Sequence, residues 1–215
     1  MECEEDMYVI GFVDNSFDLL PDYKKRLSRH EIDLLFPDAG KSKTEIVDWI
    51  LQNDVRCLMV DHKLRPNFDY VGTDLVAYIN SLLPDLPCMI LTAYQQESLN
   101  EKLVIKNMIE SRDVLDASDL FEFCEKLKQA VDVFSKRLKL HESEYRSLLE
   151  ARRGDMISAQ QEERFTYLYR ILRAYGEVDE LPVELLQPAI EEKMDSLISE
   201  INELLTALNN KKGGE

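Results

Sequence analysis

The sequence is short of several things, and each shortage closes off a class of function. Basic residues number 26 against 42 acidic ones, for a formal charge of −16. An extended footprint on a phosphate backbone needs clustered Lys and Arg that displace counterions, so nucleic acid is not an expected partner. Four cysteines, Cys3, Cys57, Cys88 and Cys124, include no Cys-x-x-Cys pair. Cys57 and Cys88 sit inside apolar runs, where free cysteine acts as a small hydrophobe, a usage that suits a reducing cytoplasm. No apolar run approaches the ~20 residues needed to cross a bilayer, so no membrane partner is expected. The amino terminus, Met1-Glu2-Cys3-Glu4-Glu5-Asp6, does not have the basic-then-apolar layout of a secretory leader. His30, His62 and His141 lie without metal-ligand spacing and give zinc no support.

What is present is enough apolar material for a core. The 215 residues are 45% hydrophobic, sufficient for one medium domain plus an appendage. From Tyr8 to about Leu138, short apolar runs of strand character alternate with amphipathic helical stretches, the mark of βαβ units and a parallel sheet. Tyr8 to Val13 reads as strand one and Ile32 to Phe36 as strand two, with a helix over Phe17 to Arg29 between them. The helix containing Trp49-Ile50-Leu51 leads to strand three, Cys57 to Val60, which ends in Asp61. Gly72-Thr73 opens a helix with Leu75, Val76, Ile79 and Leu83 at helical spacing, followed by strand four, Cys88 to Leu91, and Thr92. A helix is expected around Glu97 to Lys106. Met108-Ile109 reads as a short fifth strand, interrupted by Glu110, Ser111 and Arg112.

Polar groups at strand ends are the informative feature. Open α/β sheets hold their chemistry beyond the carboxy ends of the strands, and three apolar runs end in Asp14, Asp61 and Thr92. By contrast, Gly40-Lys41-Ser42 fails as a phosphate-binding loop, because Leu35 stands where its first glycine should be, and reads as a turn.

Beyond Ser118, expected as an N-cap, the pattern changes. Leu120, Cys124, Leu127, Val131, Phe134, Leu138, His141, Tyr145 and Leu148 alternate four and three residues apart. With no Gly or Pro before Gly154, this predicts one long rod, with His141 as a structural residue on its seam. A second helix is expected over Met156 to Tyr175, stopped at Gly176, with Phe165, Leu168, Tyr169, Leu172 and Tyr175 on its apolar face. Pro182 and Pro188 suit helix starts, and Ile190, Met194, Leu197, Ile201, Leu204 and Leu208 repeat the four-three alternation. The expected division is an α/β domain over 1–138 and a coiled-coil-like helical extension over 139–215, continuous with the helix starting near 118. Its seams must be buried, either by folding back or by pairing with a second copy in a homodimer. Phe165, Tyr169, Leu172, Tyr175, Leu197, Ile201, Leu204 and Leu208 are thus the candidate partner or dimer surface.

Asp14-Asn15, Asp61 and Thr92, with Arg112 near the end of strand five, resemble the receiver domain of bacterial two-component response regulators. The resemblance covers about residues 7 to 137. It implies a doubly wound five-stranded sheet in the order 2-1-3-4-5 and a cytoplasmic signalling role in a phosphorelay with a histidine kinase. It also implies Asp61 as phosphoacceptor, Mg²⁺ on Asp14, Asp61 and the Lys63 backbone carbonyl, and phosphoryl contacts from Thr92 and Arg112. A phosphoryl group in flight spreads charge over its equatorial oxygens, which explains the need for a hard cation and hydrogen-bond donors.

Two departures from the family pattern stand out. Asn15 replaces one carboxylate of the usual acidic pair, weakening the metal site. Arg112 replaces a lysine with a planar fork that can clamp Asp61 itself. The segment His62-Lys63-Leu64-Arg65-Pro66 is also one residue longer than the common spacing to proline. Three functions remain open: a phosphorylated receiver acting through protein contact, a phosphorylation-independent adaptor or regulatory subunit of a larger effector complex encoded in the same operon, and a Mg²⁺-dependent phosphatase. The last lacks an obvious further acid or base. From Ala151 onward 13 acidic residues face 8 basic ones, so protein contact is the expected output rather than DNA readout.

Overall fold

The computed structural model describes residues 7–117, 120–154 and 157–179. The expectations for Ser118, Met156, Pro182, Pro188, Leu197, Ile201, Leu204 and Leu208 fall outside the described residues. The chain runs β1 (Tyr8–Val13), α1 (Leu20–Leu27), β2 (Ile32–Leu35), α2 (Lys43–Gln52), β3 (Cys57–Asp61), α3 (Gly72–Leu82), β4 (Cys88–Thr92), α4 (Gln95–Asn100), β5 (Ile109–Ser111), α5 (Phe121–Arg153) and α6 (Ala159–Ala174).

All five strands are parallel, in the order β2-β1-β3-β4-β5. β3 and β4 are buried along their whole length, which explains why both read as unbroken apolar runs rather than alternating ones. Successive side chains point to opposite faces of the sheet. Ile10, Phe12, Met59 and Leu91 pack under α1 and the first turns of α5, while Val13, Leu58, Val60 and Ile90 pack under α2 and α3.

The turn at Gly40-Lys41-Ser42 leads into α2 through a capping box: Ser42 Oγ accepts from the Glu45 N–H, and Glu45 reaches back to the Ser42 N–H at 2.8 Å. It is a helix start, with Gly40 at φ +78, not a phosphate loop.

Two elements differ from the sequence reading. α4 ends at Asn100 instead of reaching Lys106, because Glu101 turns its carboxylate onto the Thr73 hydroxyl and Lys102 adopts φ +56. β5 takes in Glu110 and Ser111, which pair with Leu91 and Thr92. It lies at the sheet's edge, where polar side chains meet solvent and the apolar signal fades.

α5 is one uninterrupted helix of 33 residues, roughly 50 Å long. Every apolar position of the predicted seam is buried. Leu120, Cys124, Leu127 and Val131 seal the sheet, whereas Phe134, Leu138, Tyr145 and Leu148 join the cluster that contains α6. α6 starts in a Ser158–Gln161 capping box and returns alongside α5. Phe165 stacks on Tyr145 with ring centroids 5.0 Å apart, Arg164 forks onto Glu144 at 2.9 and 2.6 Å, and Arg152 meets Glu162 at 3.1 Å.

The partner surface proposed for Phe165, Tyr169 and Leu172 is therefore corrected. All three are buried within the chain itself, Leu172 completely, because folding back hides the stripe without a second copy. Tyr175 is also taken up internally: its hydroxyl donates to the Pro84 carbonyl at 2.5 Å and its ring meets Phe134 edge-on at 5.1 Å. This contact fastens the end of α6 to the loop entering β4, opposite the carboxy ends of the strands.

Candidate functional site

Register builds the site. Val13 pairs with Val60, so Asp14 and Asp61 follow side by side at the ends of β1 and β3; Asp61 in turn pairs with Leu91, and Thr92 with Ser111. Asp14, Asp61 and Thr92 are all buried, an unusual location for carboxylates that lack a counter-charge.

Arg112 supplies that charge. It begins the 3-10 turn directly after β5, and its side chain is 17% exposed. Nη2 lies 2.7 Å from Asp14 Oδ2 and Nη1 donates to Asp61 Oδ2 at 3.3 Å. The Asp14 contact is an ion pair without hydrogen-bond alignment, so Asp14 Oδ2 is a buried oxygen with no hydrogen-bond partner. Asp14 Oδ1 accepts from the Ser16 N–H at 2.7 Å. Burial pulls the Arg112 pKa down, but Asp14, the Tyr23 hydroxyl beneath it and Asp61 outweigh that and hold it raised.

Asp61 carries the opposite perturbation. Burial first, and Asp14 second, push its pKa up from 3.8 to about 6 despite Arg112 and the backbone N–H groups of Lys63 and His62. Thr92 Oγ1 accepts from the Tyr94 N–H at 2.9 Å, which leaves its own proton to donate. Gly72 is indispensable to this geometry: a Cβ there would stand 2.1 Å from the Asp61 carbonyl oxygen.

Asn15 is engaged with the β3–α3 loop. Its side-chain amide donates to the Arg65 carbonyl at 3.1 Å, and its backbone carbonyl accepts from the Asn67 side-chain amide at 2.7 Å. It thus tethers the β3–α3 loop. The Lys63 ammonium sits 3.2 Å above the Tyr94 ring and 3.1 Å from Glu97.

Sequence reasoning missed a second polar group beside the first. His62, buried, has Nε2 3.7 Å from Glu101, whose other oxygen accepts from Thr73. His62 Nδ1 and the buried Ser98 Oγ have no hydrogen-bond partner among the described residues. The only available signal was the position of His62 beside Asp61, since Glu101 is far away in sequence. The geometry brings together Asp14, Asp61 and Arg112, with Thr92 at the neighbouring strand end; Phe165, Tyr169, Leu172 and Tyr175 belong to the opposite end of the molecule.

No protein-family model and no curated protein matches the chain. Solved structures of response-regulator receiver domains do. A CheY-like receiver domain from Methanospirillum hungatei is 18% identical, with 61% of this chain and 98% of that one covered and a TM-score of 0.46. A sensor protein from Polaromonas is 16% identical, covering 59% and 97%, also at 0.46. The response regulator RcsB of Salmonella typhimurium, in a structure concerned with DNA interaction, is 16% identical, covering 84% and 97% at 0.43. Independently of these likenesses, the strand order β2-β1-β3-β4-β5 establishes the fold: the doubly wound arrangement shared by flavodoxin and CheY, with its polar residues at the switch-point end of the sheet.

Proposed function

We propose that the chain is a signalling receiver in which Asp61 accepts a phosphoryl group and Arg112 is the latch that the event releases. The observation that carries this reading is the single guanidinium shared by two buried carboxylates at adjacent strand ends. An Asp61 oxygen attacks the phosphorus of a phosphohistidine or small phosphodonor; the bond from phosphorus to the donor breaks, and an acyl phosphate forms. Thr92 then donates its hydroxyl to a phosphoryl oxygen, and Arg112 exchanges a carboxylate for the more highly charged phosphoryl group.

The donor set suits Mg²⁺. The carboxylates of Asp14 and Asp61 and the Lys63 carbonyl are hard oxygen ligands, and Asp14 Oδ2, which faces Arg112 at 2.7 Å without an aligned hydrogen bond, is the oxygen such a cation would take in place of the guanidinium. When bound, Mg²⁺ supplies charge neutralisation at the phosphoryl oxygens. Asn15 leaves this site one negative charge weaker than a paired carboxylate would.

The output fits protein contact, with a histidine kinase upstream and an operon-encoded effector downstream. The formal charge of −16 opposes a phosphate-backbone footprint. Among the described residues no helix is long and apolar enough to cross a membrane. A second reading, a phosphorylation-independent adaptor, is favoured by one observation: Asn15 is committed to the Arg65 carbonyl, while Arg112 already neutralises both carboxylates.

The full chain incubated with Mg²⁺ and a small phosphodonor or beryllofluoride divides the two readings. The expected result is one added phosphoryl group by intact mass, or a rise in melting temperature with beryllofluoride, with neither seen in Asp61→Ala. Acceptance should fall below about pH 6 as Asp61 protonates. No modification and no stabilisation of the wild type would leave the adaptor.

A further inference from the structure

The two residues that follow Asp61 are both held by α4. The Lys63 ammonium reaches Glu97 at 3.1 Å, and His62 Nε2 lies 3.7 Å from Glu101, the residue that caps the carboxy end of α4. Glu97 and Glu101 are four residues apart and so share one face of the helix. That face grips consecutive residues of the turn leaving β3.

The turn in question orients Asp61. The backbone N–H groups of His62 and Lys63 bond its carboxylate, and the His62 carbonyl accepts from the Gly72 N–H at 2.9 Å. Gly72 packs so closely that a Cβ there would stand 3.0 Å from the His62 Cα. A displacement of the His62 peptide is therefore passed on to the Asp61 carboxylate.

The two arms of the grip are unequal. Glu97 and Lys63 meet in solvent, where their attraction is screened. Glu101 has a side chain 31% exposed, and its partners are out of water: His62 is buried and Thr73 completely so. One Glu101 oxygen faces His62 and the other accepts from Thr73, which follows Gly72 in the first turn of α3. His62 Nδ1 has no hydrogen-bond partner among the described residues, so the Nε2 edge facing Glu101 is the polar anchor of the ring. α4 has six residues, buries Ser98 and rests Leu99 against the core. So short a helix has little apolar area to fix it, and its polar contacts carry much of its placement.

We infer that Glu101 is a positioning residue for Asp61, acting through His62 and Thr73 to fix the turn whose N–H groups orient the carboxylate. As a statement about phosphoryl acceptance, this rests on the reading of Asp61 as the acceptor.

Substitutions in the full-length chain test it on two readouts. In amide spectra recorded without a phosphodonor, Glu101→Ala should move the His62 and Lys63 resonances well beyond the shifts caused by Gln96→Ala, a change on α4 whose side chain bonds Asn100. With Mg²⁺ and a small phosphodonor, Glu101→Ala should gain the phosphoryl group about tenfold more slowly than the wild type, the scale of a misplaced reacting group. His62→Ala should also slow the reaction. The double variant His62→Ala/Glu101→Ala should be within about twofold of Glu101→Ala, as expected when one residue acts through the other. Glu101→Gln, which keeps an oxygen for the Thr73 hydroxyl, serves if the alanine variant does not fold and should lose about threefold. The inference is overturned if the two amides shift no more than in Gln96→Ala, if they shift while the rate stays at the wild-type value, or if the two single losses multiply in the double variant. A wild type that takes up no phosphoryl group refutes the assignment of Asp61 instead, and the amide shifts then decide alone whether Glu101 holds the turn.

Discussion

At the carboxy ends of its strands the sheet gathers charge, with Asp14, Asp61 and Arg112 within ion-pair distance; at the amino ends it gathers rings, with Phe134 and Tyr175 beside Pro84. The first arrangement is costly to form, because each carboxylate is buried and, among the described residues, one cation serves both. The second is favourable through burial of apolar area. Apolar burial thus stabilises the ring end, against which the other end holds charges that burial disfavours.

The sharpest way to break this contrast is at the apolar end. Phe165→Ala removes a fully packed ring stacked on Tyr145 and should cost about 3–5 kcal/mol. Denaturant titration would show the loss, and amide exchange should locate it in α5 beyond Val131 and in α6 rather than in the sheet.

Arg112→Ala attacks the charged end. It strands two buried carboxylates and should cost about 2–4 kcal/mol at neutral pH, somewhat below a fully buried pair because solvent reaches the pocket. That cost should shrink in melts carried out progressively below pH 6, as protonation removes the repulsion. An equal cost at pH 5 and pH 8 would mean that the guanidinium matters for packing and not for charge.

Asp61→Asn has the smallest expected effect and the opposite sign. The folded protein holds the Asp61 proton more tightly than the unfolded chain does. The residue therefore contributes stability that is present below 3.8 and lost as pH rises through about 6. The variant should be more stable than the wild type above pH 7, by on the order of 1 kcal/mol once solvent screening is discounted. Melting curves of the two proteins should converge below pH 4.

The same contrast governs what could be read in the sequence. Asp14, Asp61 and Thr92 were legible because each interrupts an unbroken apolar run, the signature of a strand buried on both faces. The α5 seam was legible because 33 residues without a Gly or Pro repeat one spacing. The extent of β5 was not, since Glu110 and Ser111 occupy an edge and carry no burial signal. Nor was the stop of α4 at Asn100, where Lys102 turns to φ +56 and Glu101 meets Thr73, a contact between residues 28 apart. The direction of the α6 stripe stayed open for a related reason: periodicity shows that a face must be covered, while only tertiary geometry shows that the cover is the same chain.

The bond from Tyr175 to Pro84 gives α5 a different mechanical character from a free arm. Sheet, outgoing helix and returning helix form a closed circuit, in which α6 lies along α5 and its end is fastened back to the loop entering β4. A movement of the outer half of α5 relative to the sheet would therefore load the hydrogen bond between the Tyr175 hydroxyl and the Pro84 carbonyl.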